Sequence, residues 1–344
     1  MGSVSPDQSG PVALSLTIIQ LSGRWRSAPQ FPRSDMKSIL FCLSFIFTPI
    51  FVLLCLVDLP SVLGSGRSVR IEASVPCQQC FPLETLPPPL RERAAELLLK
   101  ALDGEALYTF VGDLKPMSSG FVSFNFEVQS PLSTTLTELE DTRRILATWR
   151  CGQDYYAGLH HFAKVYEGKR YVDGLVIRRN LLEKLIDERR AFFSGFGITR
   201  QADPLEVISA VEYASSLERL RHYGYLFGYP DHAVDFFVAA AKAQEADGRV
   251  VKREFLRLPT FRASDDRSPF VYAVPVGHLE KEADKQLRRE VEVILAEYRL
   301  RRQNYIGQDR AGVVRMLRDW FDDGSGYCSA DQVKVKFLNR EKLR

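Results

Sequence analysis

The chain has 344 residues, is 45% hydrophobic, and sets 46 basic against 43 acidic side chains for a formal charge of +3. Charges so evenly matched and interspersed give a solvated surface, not the single-sign face by which proteins hold nucleic acid, so nucleic acid is excluded as a partner. The length and apolar fraction are ample for a packed core, in one large domain or two small ones.

Residues 1–35 read as an N-terminal extension, either disordered or lying ahead of the true start codon. Residues 38–57, SILFCLSFIFTPIFVLLCLV, carry no charged side chain. About 20 apolar residues match the hydrocarbon thickness of a bilayer, so this run addresses the chain to a membrane. Two readings of residues 36–64 compete. One is a signal peptide with Met36-Lys37 as its basic start and cleavage near Gly64, leaving a secreted or periplasmic protein. The other is a single transmembrane anchor, through which the membrane itself is a partner. Arg24, Arg26, Arg33 and Lys37 precede the run, against Arg67 and Arg70 after it, which places an anchor's N-terminus in the cytoplasm. Both readings make the rest of the chain extracytoplasmic. Cys55 follows Leu54, too large a residue for a lipidation site.

Residues 65–88 form an extended, proline-rich connector, and residues 89–344 the globular α+β domain. Four cysteines lie beyond the apolar run: Cys77, Cys80, Cys151 and Cys328. In an exported protein an even set reads as disulfides, with three possible pairings, against free thiols or a metal. The Cys77-Gln-Gln-Cys80 motif lacks the helix of a redox centre, the histidine at position 81 of a haem site, and the second close pair of a zinc site. No cofactor or metal is expected.

In the domain, residues 89–103 place Leu90, Ala94, Leu97, Leu98 and Ala101 on one helical face. A short apolar run at 108–111 and a strand at 121–128, alternating Phe124, Phe126 and Val128 with polar residues, bracket a loop at 112–120. A helix follows at 136–149. Strands at 159–166 and 170–178 flank a hairpin turn at Glu167-Gly168-Lys169. Asn180 with Glu183 resembles a capping box, and Asp203-Pro204-Leu205-Glu206 combines an N-cap carboxylate with proline at the first helical position. That helical stripe is expected to run through Ile208, Val211, Leu217 and Leu220 to Gly224 or Gly228, and a new helix to start at Asp231. Strands at 250–258 and 270–276 precede helices at 279–302 and 310–321. Without a regular alternation of strand and helix, the fold class is α+β, with short, mostly antiparallel strands.

No motif names a reaction. The first candidate ligand site is the 112–120 loop, where Asp113, Lys115, Ser118 and Ser119 gather an acid, a cation and two hydroxyls. The second is the run from Arg221 to His232, whose Tyr223, Tyr225 and Tyr229 offer aromatic faces at a helix junction. His160 and His161 are adjacent on a strand and must point to opposite faces. Asp322-Asp323-Gly-Ser-Gly326 lacks the ligand spacing of a calcium loop and reads as a turn. The leading expectation is ligand or partner binding through these two sites. An exported hydrolase using Ser118 or Ser119 with Lys115, or His161 or His278, is the alternative.

Overall fold

The computed structural model describes residues 74–129, 135–262, 269–306 and 312–330. The expected membrane segment lies outside them. Among the described residues no helix is long and apolar enough to cross a membrane.

The architecture is mixed α+β, with several helices and short antiparallel sheets. The chain opens with β1 (Val75–Pro76), followed by α1 (Pro88–Asp103), the single turn α2 (Leu107–Phe110) and β2 (Met117–Glu127). Next come α3 (Thr135–Leu146), β3 (Tyr155–His161) and β4 (Lys169–Arg178). Five helices follow: α4 (Arg179–Glu188), α5 (Arg190–Phe193), α6 (Pro204–Tyr213), α7 (Ser216–Leu226) and α8 (Asp231–Asp247). The hairpin of β5 (Arg253–Arg257) and β6 (Val271–Pro275) leads to α9 (Glu282–Tyr305), α10 (Gly312–Phe321) and β7 (Tyr327–Cys328).

The largest sheet has the order β2–β4–β3, all antiparallel. Residues 172–178 of the central strand β4 are buried without a break. Val176 joins a large core built on α1, α9, α10 and β6, whereas Leu175 and Ile177 join a second core with α4, α6 and α7. A strand covered on both faces needs a continuous apolar run, which Gly-Leu-Val-Ile supplies. The β3–β4 hairpin closes as its residues direct: Glu167 and Gly168 both have positive φ, and Tyr166 and Lys169 exchange backbone hydrogen bonds of 2.9 Å. That is the two-residue turn whose twist matches its strands.

Asp203 caps α6 as expected, its carboxylate accepting from the Leu205 amide at 2.9 Å. Three local expectations are corrected. The run at 108–111 is a helical turn, and Ser118 and Ser119 belong to β2, so the loop after Gly112 is shorter than the spacing suggests. Asn180 is not the N-cap, because α4 follows directly from β4 with Arg178 in that position. The stripe from Pro204 breaks at Ala214-Ser215, where Glu218 accepts from the Ser215 amide at 3.2 Å and its hydroxyl at 2.6 Å and starts a new helix. This is a capping box.

The connector is tied into the body from Val75 onward. β1 pairs with β7, Phe81 is fully buried, and Arg318 of α10 donates to the Cys80 and Gln78 carbonyls and to the Glu84 carboxylate. Cys77 is bonded to Cys328 and Cys80 to Cys151. The two cysteines of the C-x-x-C motif therefore have separate, distant partners. At the other end of the core, Tyr298 and Arg302 of α9 both donate to Asp103 at 2.7 Å, joining α9 to the last residue of α1.

Candidate functional site

The segment from Arg221 to His232 forms the α7–α8 corner. Gly228 makes it possible: its φ is +71°, and a Cβ there would stand 2.1 Å from the Leu114 carbonyl oxygen. The corner therefore presses directly onto the backbone of Leu114 and Lys115. Pro230 then fixes the approach to α8 and places His232 in its first turn.

Between this corner and β6 lies a small cavity of about 40 Å³, lined by Tyr223, Phe227, Tyr229, Val234, Phe237 and Tyr272 among others. The rings form a chain: Tyr223 stacks on Phe227 at 5.8 Å, Phe227 meets Tyr229 at 5.9 Å, and Tyr229 meets Tyr272 at 5.7 Å. Each phenol lies near an acid outside the cavity. Tyr223 donates to Glu212 and lies 3.2 Å from Nε2 of His160. Tyr272 donates to Asp284 at 2.7 Å. Tyr229 feels the charge of Glu105. Burial, and then those acids, raise all three phenols above their ordinary pKa. The cavity is thus lined by aromatic faces, with the Tyr223 and Tyr272 hydroxyls already engaged. Tyr225 is elsewhere, edge-on to Phe192 and beneath the Arg189 guanidinium.

The other candidate residues fall behind this shell. Lys115 is wholly buried, 2.5 Å from the Glu105 carboxylate and 4.5 Å above the centre of the Phe270 ring. Desolvation lowers its pKa although Glu105 opposes the shift. Ser118 is buried and shares a 2.8 Å hydrogen bond with Thr109. Ser119 is buried in β2, and Asp113 lies 3.9 Å from Arg178. Lys115, Ser118 and Ser119 are thus all buried side chains. Of the two histidines on β3, His160 is buried and His161 exposed, as strand alternation requires. The carboxylates of Asp322 and Asp323 accept hydrogen bonds from amides of their own turn.

One polar cluster borders the cavity through Tyr272. His232 from α8, His278 from the turn after β6 and Asp284 from the first turn of α9 converge so that one ligand atom of each lies within 4.8 Å of the others. His232 Nε2 is 3.1 Å from one Asp284 oxygen and His278 Nε2 is 2.9 Å from the other. The two imidazoles are nearly parallel, 5.1 Å apart. Tyr272 and the Lys281 amide hold the carboxylate from behind. The chain matches no family model, no curated protein and no solved structure. Function therefore rests on the chemistry of these residues.

Sequence reasoning singled out Tyr223, Tyr229, His160 and His278 but missed their acidic partners. Two signals were present. Glu212 falls four residues after Ile208, on the apolar stripe of its helix, where an acid needs a buried partner. Asp284 sits three residues after Lys281 at a helix start, the position from which a carboxylate reaches back to a free amide.

Proposed function

We propose that the chain is an extracytoplasmic α+β domain, anchored by residues 38–57 or released by cleavage near Gly64, that binds a small ligand at the α7–α8 corner. The observation that carries the address is the cysteine pairing: every cysteine outside the apolar run is in a disulfide, and disulfides persist in oxidising compartments. The aromatic cavity supports the binding reading, since ring faces with occupied hydroxyls take apolar matter. At about 40 Å³ it accommodates the tip of a ligand, with the remainder resting outside. A serine–lysine hydrolase has less support, because Lys115 is committed to Glu105 and Ser118 to Thr109.

The test begins with the full chain carrying a C-terminal tag in a bacterial host. Fractionation, N-terminal sequencing and alkylation before and after reduction read address and thiol state together. Recovery in the membrane or periplasmic fraction, with the four cysteines alkylated only after reduction, is expected. A soluble cytoplasmic chain with four freely alkylated cysteines overturns the reading. Ligand binding is then sought by thermal shift against a panel of small apolar and aromatic compounds. A compound that stabilises the wild type and Tyr225→Ala, but not the cavity-filling Ala273→Leu, places the ligand at the corner. Equal shifts for Ala273→Leu and wild type place it elsewhere.

A further inference from the structure

We propose that His232, His278 and Asp284 form a zinc site with three protein ligands and one water. This goes beyond the binding reading and does not depend on it. The donor set is the first argument. Two imidazole nitrogens and a carboxylate oxygen are the ligands that zinc takes in sites with an exchangeable fourth position. Geometry is the second. With zinc–ligand bonds of about 2.0–2.1 Å, tetrahedral donors stand about 3.3 Å apart. Here His232 Nε2 and His278 Nε2 stand 3.1 and 2.9 Å from the two different oxygens of Asp284, and one ligand atom of each residue lies within 4.8 Å of the others, so the three donors are close enough to be gathered on one ion by side-chain rotation.

The third argument is an unsatisfied atom. His232 Nε2 is buried and makes no aligned hydrogen bond, although it stands 3.1 Å from the carboxylate. A buried nitrogen aimed at an acid without a bond to it needs a partner, and a cation between the two supplies one. The surroundings provide the fourth. Metal-binding carboxylates are oriented by hydrogen bonds from behind, and here Tyr272 donates at 2.7 Å and the Lys281 amide at 2.8 Å. Asp284 is fully buried, whereas the His232 and His278 side chains keep 14% and 7% of their surface exposed, so solvent reaches the cluster on its histidine side. His232 and His278 come from different elements, so an ion would fasten α8 to the start of α9.

The experiment uses the full chain in detergent with a tag free of histidine, stripped with chelator and titrated with Zn²⁺ against a chromophoric competitor. Co²⁺ serves as a spectroscopic reporter. One Zn²⁺ per chain, intense visible absorption of four-coordinate Co²⁺, and a zinc-dependent rise in melting temperature are expected. His232→Gln and His278→Gln should each abolish all three, while Tyr272→Phe should weaken zinc by about 10-fold or more by releasing Asp284. Melting of the metal-free variants checks the fold. Wild-type protein that shows no saturable zinc binding and no cobalt colour overturns the proposal whatever the variants do. So does stoichiometric binding retained by a folded His232→Gln/His278→Gln chain, which would mean zinc on other groups.

Discussion

Asp173 on β4 is buried beside Ser123, whose hydroxyl donates to it at 2.7 Å, and it faces His160 across the β3–β4 pair. Burial pushes its carboxyl up to about 6, against the opposing pull of Ser123 and His160. A carboxyl held above its ordinary value favours the folded state when protonated. Its contribution is therefore full below about pH 4 and lost as the pH rises through about 6. The loss is on the order of 3 kcal/mol. Asp173→Asn keeps an acceptor for Ser123 and should flatten the fall in melting temperature between pH 4 and 6; an unchanged slope would assign it to other groups. Lys115 and Glu105 allow a second test. Lys115→Met removes the counter-charge of a buried carboxylate and should cost about 3–5 kcal/mol in denaturant unfolding. Lys115→Met/Glu105→Leu removes both charges and should recover most of that loss. If the double variant is as unstable as the single, packing of the lysine stem, and not its charge, is what matters.

At the scale of elements, glycines of the same backbone class should behave differently. Gly168 and Gly228 both have φ above +70°, but a Cβ at Gly168 meets nothing, whereas one at Gly228 meets the Leu114 backbone. Gly168→Ala should cost about 1–2 kcal/mol, the price of the left-handed conformation alone. Gly228→Ala adds a backbone collision and should cost several kcal/mol or rearrange the corner. Circular dichroism melts distinguish the two. How legible these elements were depended on whether their determinants are local. The Asp203-Pro204 start and the Glu167-Gly168 turn are set by neighbouring residues, and both were readable. The break at Ser215 was also written locally, in Ser215 and Glu218, but the continuing apolar stripe hid it. The burial of Lys115 was not readable, because Glu105, Phe227 and Phe270 meet it only through the fold. The same holds for the histidine–aspartate cluster, whose members are separated by up to 52 positions and share no motif.

In the whole molecule the two disulfides act at different ranges. Cys80–Cys151 spans 71 positions and Cys77–Cys328 spans 251, and constraining unfolded chains of such lengths is worth about 2–5 kcal/mol per bridge. Cys77→Ser/Cys328→Ser should lower the melting temperature and remove the protection that reduction otherwise abolishes. An unchanged melting temperature would mean that β1, β7 and Arg318 hold this region alone. The longer bridge has a mechanical consequence as well. Because it fastens β1 to β7, tension applied to the chain on either side of the body passes through one S–S bond and leaves the core unloaded. Such a clasp makes the domain nearly inextensible while oxidised. Reducing both bridges would let the 251-position span pay out on the order of 900 Å of contour length under force. Thiol chemistry alone would then decide whether the domain behaves as a rigid link or as slack.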